Sequence, residues 1–315
     1  MKLSGKMVRF LQGLWNSARF GPAVFGWTLL AKLHPCACFH RGKQAAILAV
    51  LQKQFGSFLR QEAEKLQADS AAETHSIGNA PVWVLWLQGY EAAPPLVQTC
   101  IDSIRRQAGT RPVILLTQQN VEEYAQLPPS MQELWLQKKL SVQQYSDYLR
   151  SYLLAHYGGL WLDATVYCAA SLEQPDWAER CWYTCKMQEP DDTHAYVSAY
   201  RWSVFCMAAA KGGQIPRFLC DFFAEYYRRY DRPIDYLLID FAIELGYRNV
   251  ESIRRMVDEL PQNNPQLYAL AGVLNAPYDE QQWQQMCWDT QFFKLNHRCV
   301  LKQSADTYFA VLSGR

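Results

Sequence analysis

Asp147, Arg150 and Asp163 stand close together in the stretch SDYLRSYLLAHYGGLWLDATV, residues 146–166. A carboxylate and a guanidinium three residues apart are neighbours on one helix face. A carboxylate that closes an apolar run marks the end of a strand, and in open α/β sheets ligands bind beyond the carboxyl ends of strands. A guanidinium stabilises negative charge on a departing group. Carboxylates hold hydroxyls and favour positive character at a reacting carbon. An anionic substrate that also presents hydroxyls would suit this set. Taken singly, each residue has a plainer reading. An Asp–Arg pair at this spacing is commonly a surface ion pair worth about 0.3 kcal/mol, and an Asp after a strand is often a turn or cap residue.

The elements that must position these groups are readable from period. Tyr145, Tyr148, Leu149, Tyr152, Leu153 and His156 recur at three- and four-residue spacing, which draws one amphipathic helix face. Gly158 or Gly159 supplies the left-handed residue that ends such a helix, and Leu160-Trp161-Leu162 reads as a short buried strand ending at Asp163. Upstream, residues 82–87 and 113–117 read as strands flanking a helix at 96–107, an order that indicates a parallel sheet. Asn120 falls just past the second strand, where it meets a base or ribose or simply makes a turn. Downstream, residues 182–187 suit a strand, 203–210 a strand or a helix, and 215–230 a helix. A further helix is expected over 235–245, with Asp235 as its cap and Asp240 as a second acidic candidate or a solvated helix carboxylate. No internal repeat is apparent.

The pattern S-D-x-x-R followed by L-L-x-x-Y-G-G-x-W-x-D-A-T resembles the capsular polysaccharide synthesis proteins, bacterial sugar transferases related to glycosyltransferases with a DXD motif. The resemblance runs from about Pro81 to the C-terminus. Supporting pieces include Trp86-Leu87-Gln88, Gln118-Gln119-Asn120, Trp202-Ser203-Val204-Phe205 and Asp235-Tyr236-Leu237-Leu238-Ile239-Asp240. It implies an α/β, Rossmann-like glycosyltransferase domain of the GT-A type. It further implies transfer of a sugar, with retention of configuration, from a nucleotide-sugar, most simply a UDP-sugar, to a saccharide or lipid-linked acceptor. A non-catalytic protein that binds nucleotide-sugar or polysaccharide with the same fold is the alternative.

The implied roles follow residue by residue. Asp147 holds donor sugar hydroxyls, and Arg150 meets the diphosphate or the sugar. Asp163 serves in catalysis and binds the metal, with Asp240 as catalytic partner. Trp86, Gln88, Asn120 and Thr165 bind substrate. The expected cofactor is divalent manganese or magnesium. Here the chain departs from the family pattern, because Thr165 stands where the second Asp of a DXD motif would be. A hydroxyl is a poor substitute for a carboxylate on a hard cation. The ion is then held by Asp163 with the diphosphate and a later acid, or is absent.

Half of the 315 residues are hydrophobic and 14% are aromatic, enough for a sizeable core. A net charge of +1 excludes general nucleic-acid binding by the whole chain. Residues 1–61 nevertheless hold nine Lys or Arg and no acid, so the remainder carries a net −8. This basic, aromatic-rich helical segment (residues 1–67) is set off by a small, polar linker at 68–80 from a catalytic domain at 81–315. It suits the anionic surface of an inner membrane from the cytoplasmic side, or packs on the catalytic domain. Its longest apolar run, 20–31, is too short for a bilayer span of ~20 residues. The scattered cysteines and the lack of a cleavable leader point to a reducing cytoplasm. The His34, Cys36, Cys38 and His40 group has zinc-type ligands at spacings that do not match zinc sites. Asn296-His297-Arg298 is a basic segment suited to closing over a diphosphate, or a surface loop.

Overall fold

The computed structural model of the chain describes residues 5–69, 75–173, 175–187 and 196–314. Four helices come first: α1 (Gly5–Ala18), α2 (Pro22–Leu33), α3 (Ala37–Gln54) and α4 (Gly56–Ala68). Strand β1 (Val82–Leu85) leads through α5 (Pro95–Gln107) to β2 (Val113–Leu116), as the period predicts. Helices α6 (Val121–Tyr124), α7 (Pro129–Leu136) and α8 (Val142–His156) then return the chain to β3 (Gly159–Leu162). Strands β4 (Val166–Cys168), β5 (Trp182–Thr184) and β6 (Cys206–Ala209) follow, then α9 (Gln214–Arg229), α10 (Leu238–Asn249) and α11 (Glu251–Glu259). The chain closes with α12 (Ala269–Val273), α13 (Glu280–Cys287), β7 (Phe292–Lys294) and α14 (Tyr308–Ser313). Residues 70–74 of the expected linker lie outside the described residues.

The main sheet runs β2-β1-β3-β6-β5. β1 pairs in parallel with β2 on one side and β3 on the other, while β6 is antiparallel to both β3 and β5. The chain thus leaves β1 in one direction and comes back on its other flank, which makes the gap between the carboxyl ends of β1 and β3 a switch point. Both faces of the sheet are covered, so its strands are short apolar runs without polar alternation. Trp83 and Trp161 point into one core layer with α8 and α9; Val82, Val84, Leu160 and Leu162 point into the other with α5. A separate ribbon pairs β4 antiparallel with β7 and carries Lys294 to the end of β3.

The N-terminal helices share the first of these layers. Phe55, fully buried between α3 and α4, packs 5.3 Å from the Phe222 ring and stacks 5.8 Å from Tyr226 on α9. Among the described residues no helix is long and apolar enough to cross a membrane. Cys36 and Cys38 are joined in a disulfide, which removes both thiols from the His34–His40 group. Cys100, Cys168, Cys185 and Cys206 are free and buried. The α10 boundary departs from expectation. The helix begins at Leu238, and Asp235 lies outside it, accepting the Leu237 N–H and pairing with Lys43 at 2.6 Å. An Asx-type turn has taken the place of the expected cap.

Candidate active site

Helix α8 is started by Ser141 and Gln144 in a reciprocal capping box. The serine hydroxyl accepts the Gln144 N–H, and the glutamine side chain accepts the Ser141 N–H. It ends where Gly158 (φ 71°) and Gly159 (φ 106°) turn the backbone directly into β3. This short stop is what brings Arg150 onto the carboxylate at the far end of the strand.

Arg150 donates Nη1 to the Val204 carbonyl at 2.6 Å and Nη2 to Asp163 Oδ1 at 3.2 Å. Asp147 Oδ1 lies 3.5 Å from the same Nη2. The Trp161 indole also donates to Asp163 Oδ1, at 3.0 Å. Lys294 donates to Asp163 Oδ2 at 2.9 Å and to the Thr165 hydroxyl at 2.8 Å. Burial pushes the Asp163 carboxyl up, but Lys294 and then Arg150 outweigh it and hold the group down at about 2. Asp163 keeps 29% of its side-chain surface and Lys294 21%, whereas Asp147 and Arg150 are buried.

The other two carboxylates behave oppositely. Burial raises Asp147 to about 7 despite Arg150, with the charges of Asp240 and Asp163 adding to the effect. Burial likewise raises Asp240 to about 6, although the Trp202 indole donates to its Oδ1 at 2.9 Å. Asp147 Oδ2 and Arg150 Nε are buried without a hydrogen-bond partner. The fold therefore leaves one acceptor and one donor unspent inside the cluster.

Aromatic side chains lie near the cluster. Tyr236 is exposed, and its phenol is raised by burial and by Asp147 and Asp163, with Arg298 opposing. Burial pushes Tyr268 up to about 12, with Tyr196, Tyr200 and Asp240 around it. The Lys294 ammonium lies 4.8 Å over the Phe205 ring. Trp86, just beyond β1, has a buried indole N–H without a partner and packs edge-on to His297 at 5.7 Å. Gln88 is exposed beyond it. Asn120 turns back into its own loop, accepting the Thr117 N–H at 2.8 Å and donating to the Leu115 carbonyl at 3.0 Å.

The divalent ion was expected on Asp163, completed by the diphosphate and a later acid, and Asp163 and the neighbouring Thr165 both face the Lys294 ammonium. As arranged, these donors do not fit an ion, which would have to displace the lysine. Among the described residues no group of three or more His, Cys, Asp or Glu stands where it could hold one.

A family model described as "Capsular polysaccharide synthesis protein" matches residues 35–312. The chain belongs to that family. The match begins well before Pro81 and so takes in α3 and α4 of this capsular polysaccharide synthesis protein. No curated protein matches. A solved structure titled "PaToxG Glycosyltransferase" superposes with a TM-score of 0.40 at 15% identity, over 78% of this chain and 94% of that one. A likeness that distant carries no weight for activity.

In this member of the family, the structure brings Asp147, Arg150, Asp163, Thr165 and Asp240 into one neighbourhood. Trp86 and Gln88 stand at the adjoining strand end and Asn120 lies in the turn beyond β2. Lys294, Trp161 and Trp202 join the site without a role that the sequence pattern assigns. Trp202 lay in one of the matching pieces. Lys294 offered only a single charge after two phenylalanines, two residues before the basic segment that drew notice.

Proposed function

We propose that the protein is a glycosyltransferase of GT-A type that uses a nucleotide-sugar, most simply a UDP-sugar, and retains anomeric configuration. The acceptor is a saccharide or a lipid-linked saccharide of bacterial surface polysaccharide, met at the cytoplasmic face of the inner membrane. One observation carries the reading. Two cations converge on an accessible Asp163 at the carboxyl end of β3, beside the switch point where α/β sheets take their ligands.

The roles follow from accessibility. Arg150 is buried and donates through Nη1 to Val204 and through Nη2 to Asp163, so it fixes Asp163 in place. Asp163 is the group that can accept a donor hydroxyl. Lys294 is the reachable cation, and on leaving Asp163 it would meet the diphosphate as charge builds there. The electrostatic work that the resemblance assigns to manganese or magnesium falls in this reading to Lys294. Asp147 and Asp240, each raised toward neutrality, suit the holding and passing of a proton.

The test is nucleotide release from a panel of UDP-sugars, with product configuration read by proton NMR, in the presence and absence of EDTA. Release that survives EDTA with the configuration retained is the predicted result. Release that requires manganese would return the charge to a metal. Tight donor binding with no release under any condition would favour a non-catalytic binding protein, the reading suggested by Thr165 in the second Asp position.

A further inference from the structure

A cavity of about 890 Å³ lies between the N-terminal helices and the α8–α10 side of the carboxylate cluster. That size falls within the ~300–1,000 Å³ of small-molecule sites. Gln144, which lines it, precedes Asp147 by less than one helical turn, and Phe241, also in the lining, follows Asp240 directly. Tyr236, on the segment that leads into α10, lines the cavity as well. The cavity therefore borders α8 and α10, the two helices that carry Asp147 and Asp240.

Its lining is strongly basic. Lys32, Lys43, Lys139 and Arg232 face it against a single carboxylate, Asp235, which Lys43 already holds at 2.6 Å. Asn16 adds unused polar capacity. Its amide nitrogen donates to the Pro233 carbonyl at 2.7 Å, while its buried Oδ1 has no partner. The helices that wall this cavity, α1 and α2, carry a second chemistry as well. Leu11, Trp15, Phe25, Trp27, Leu30 and Leu33 are all exposed large apolar residues on them. Basic groups beside exposed apolar and aromatic side chains match the two halves of an anionic amphiphile.

We propose that this cavity is the acceptor site and that the acceptor is an amphiphile with a phosphate-bearing head. The head sits among Lys43, Lys139 and Arg232, and the hydrocarbon lies against the exposed apolar side chains of α1 and α2. The proposal rests on the transferase reading above and names the acceptor class for it.

The test titrates dodecyl phosphate, below its micelle concentration, into the full chain by calorimetry, with inorganic phosphate and dodecyl maltoside as controls. One dodecyl phosphate binds per chain, and both controls bind at least about tenfold more weakly, because each lacks one half of the recognition. The double variant Lys139→Gln/Arg232→Gln weakens dodecyl phosphate about tenfold or more through loss of charge-assisted hydrogen bonds. Both side chains are at the surface, and the melting temperature of the variant stays that of the wild type. Equal binding of inorganic phosphate would make the ligand a free anion and overturn the lipid class. Equal binding of the maltoside would mean detergent adhering to the apolar surface. Unchanged affinity in the double variant, or no binding of dodecyl phosphate at all, would overturn the cavity assignment. No donor is present in this experiment, so failure of the transferase reading shows itself separately, as a lack of nucleotide-sugar binding.

Discussion

Asp163 and Asp147 meet the same guanidinium, yet their carboxyls move in opposite directions, to about 2 and about 7. The difference lies in the second cation, since Lys294 reaches Asp163 alone. Replacing Lys294 by Met should cost turnover about 100-fold or more, as loss of a transition-state charge contact does, and Lys294→Arg should restore part of it. Unchanged turnover in Lys294→Met, measured by nucleotide release, would remove the lysine from the mechanism. The raised carboxylates have a stability consequence of definite sign. Between the ordinary value of 3.8 and the raised values, the folded chain holds protons on Asp147 and Asp240 that the unfolded chain has released. Their contribution is full below 3.8 and is lost as pH rises through about 6 to about 7. Asp163 works the other way and loses its contribution as pH falls from 3.8 toward about 2. Thermal melts between pH 4 and pH 7 should therefore fall less steeply for Asp240→Asn than for the wild type; parallel curves would contradict the raised value. Asp147, Arg150 and Asp163 were legible in the sequence because one helix and one strand set their spacing. Lys294 was not, because it arrives from 131 residues downstream, on a ribbon whose pairing no local pattern announces.

The elements themselves were legible wherever local chemistry decided them. The period of α8, its glycine stop and the β1-α5-β2 order all appear as the residues imply. β6 read equally as helix or strand, since Cys206-Met207-Ala208-Ala209 is a short apolar run with no alternation and only its antiparallel partners fix it. The start of α10 was misplaced because Asp235 satisfies Lys43 and the Leu237 N–H instead of a helix end. Gly159 is the element-scale residue on which the site depends. Its φ of 106° is strained for any other residue, and a Cβ there would strike the Pro81 carbonyl. Gly159→Ala should destabilise by about 2 kcal/mol or more, read as a lowered urea midpoint. A midpoint within error of the wild type would show that the α8–β3 junction can relax, and Arg150 would then not be fixed by it.

At the scale of the whole molecule, the basic N-terminal helices do two things. They close one core layer through Phe55, and they carry both basic residues that line a cavity and exposed apolar side chains. Charge and apolar content along the sequence pointed to such a segment, but not to its packing on α9, which depends on aromatic contacts across most of the chain. Phe55→Ala should cost about 3–5 kcal/mol, the range for a buried Phe truncated in a core, measured by denaturant unfolding of the full chain. A loss below about 1 kcal/mol would mean that the helices do not share the core of the sheet domain.

Asp163, at the end of β3 and held by two cations, is the proposed centre of the donor site. The measurement that tests it is a calorimetric titration of the folded protein and of Asp163→Asn with a panel of nucleotide-sugars, each with and without manganese. One donor should bind the wild type with or without the metal, and Asp163→Asn should abolish that binding while remaining folded. Equal binding by the variant, or no donor bound by a folded wild type, would contradict that assignment.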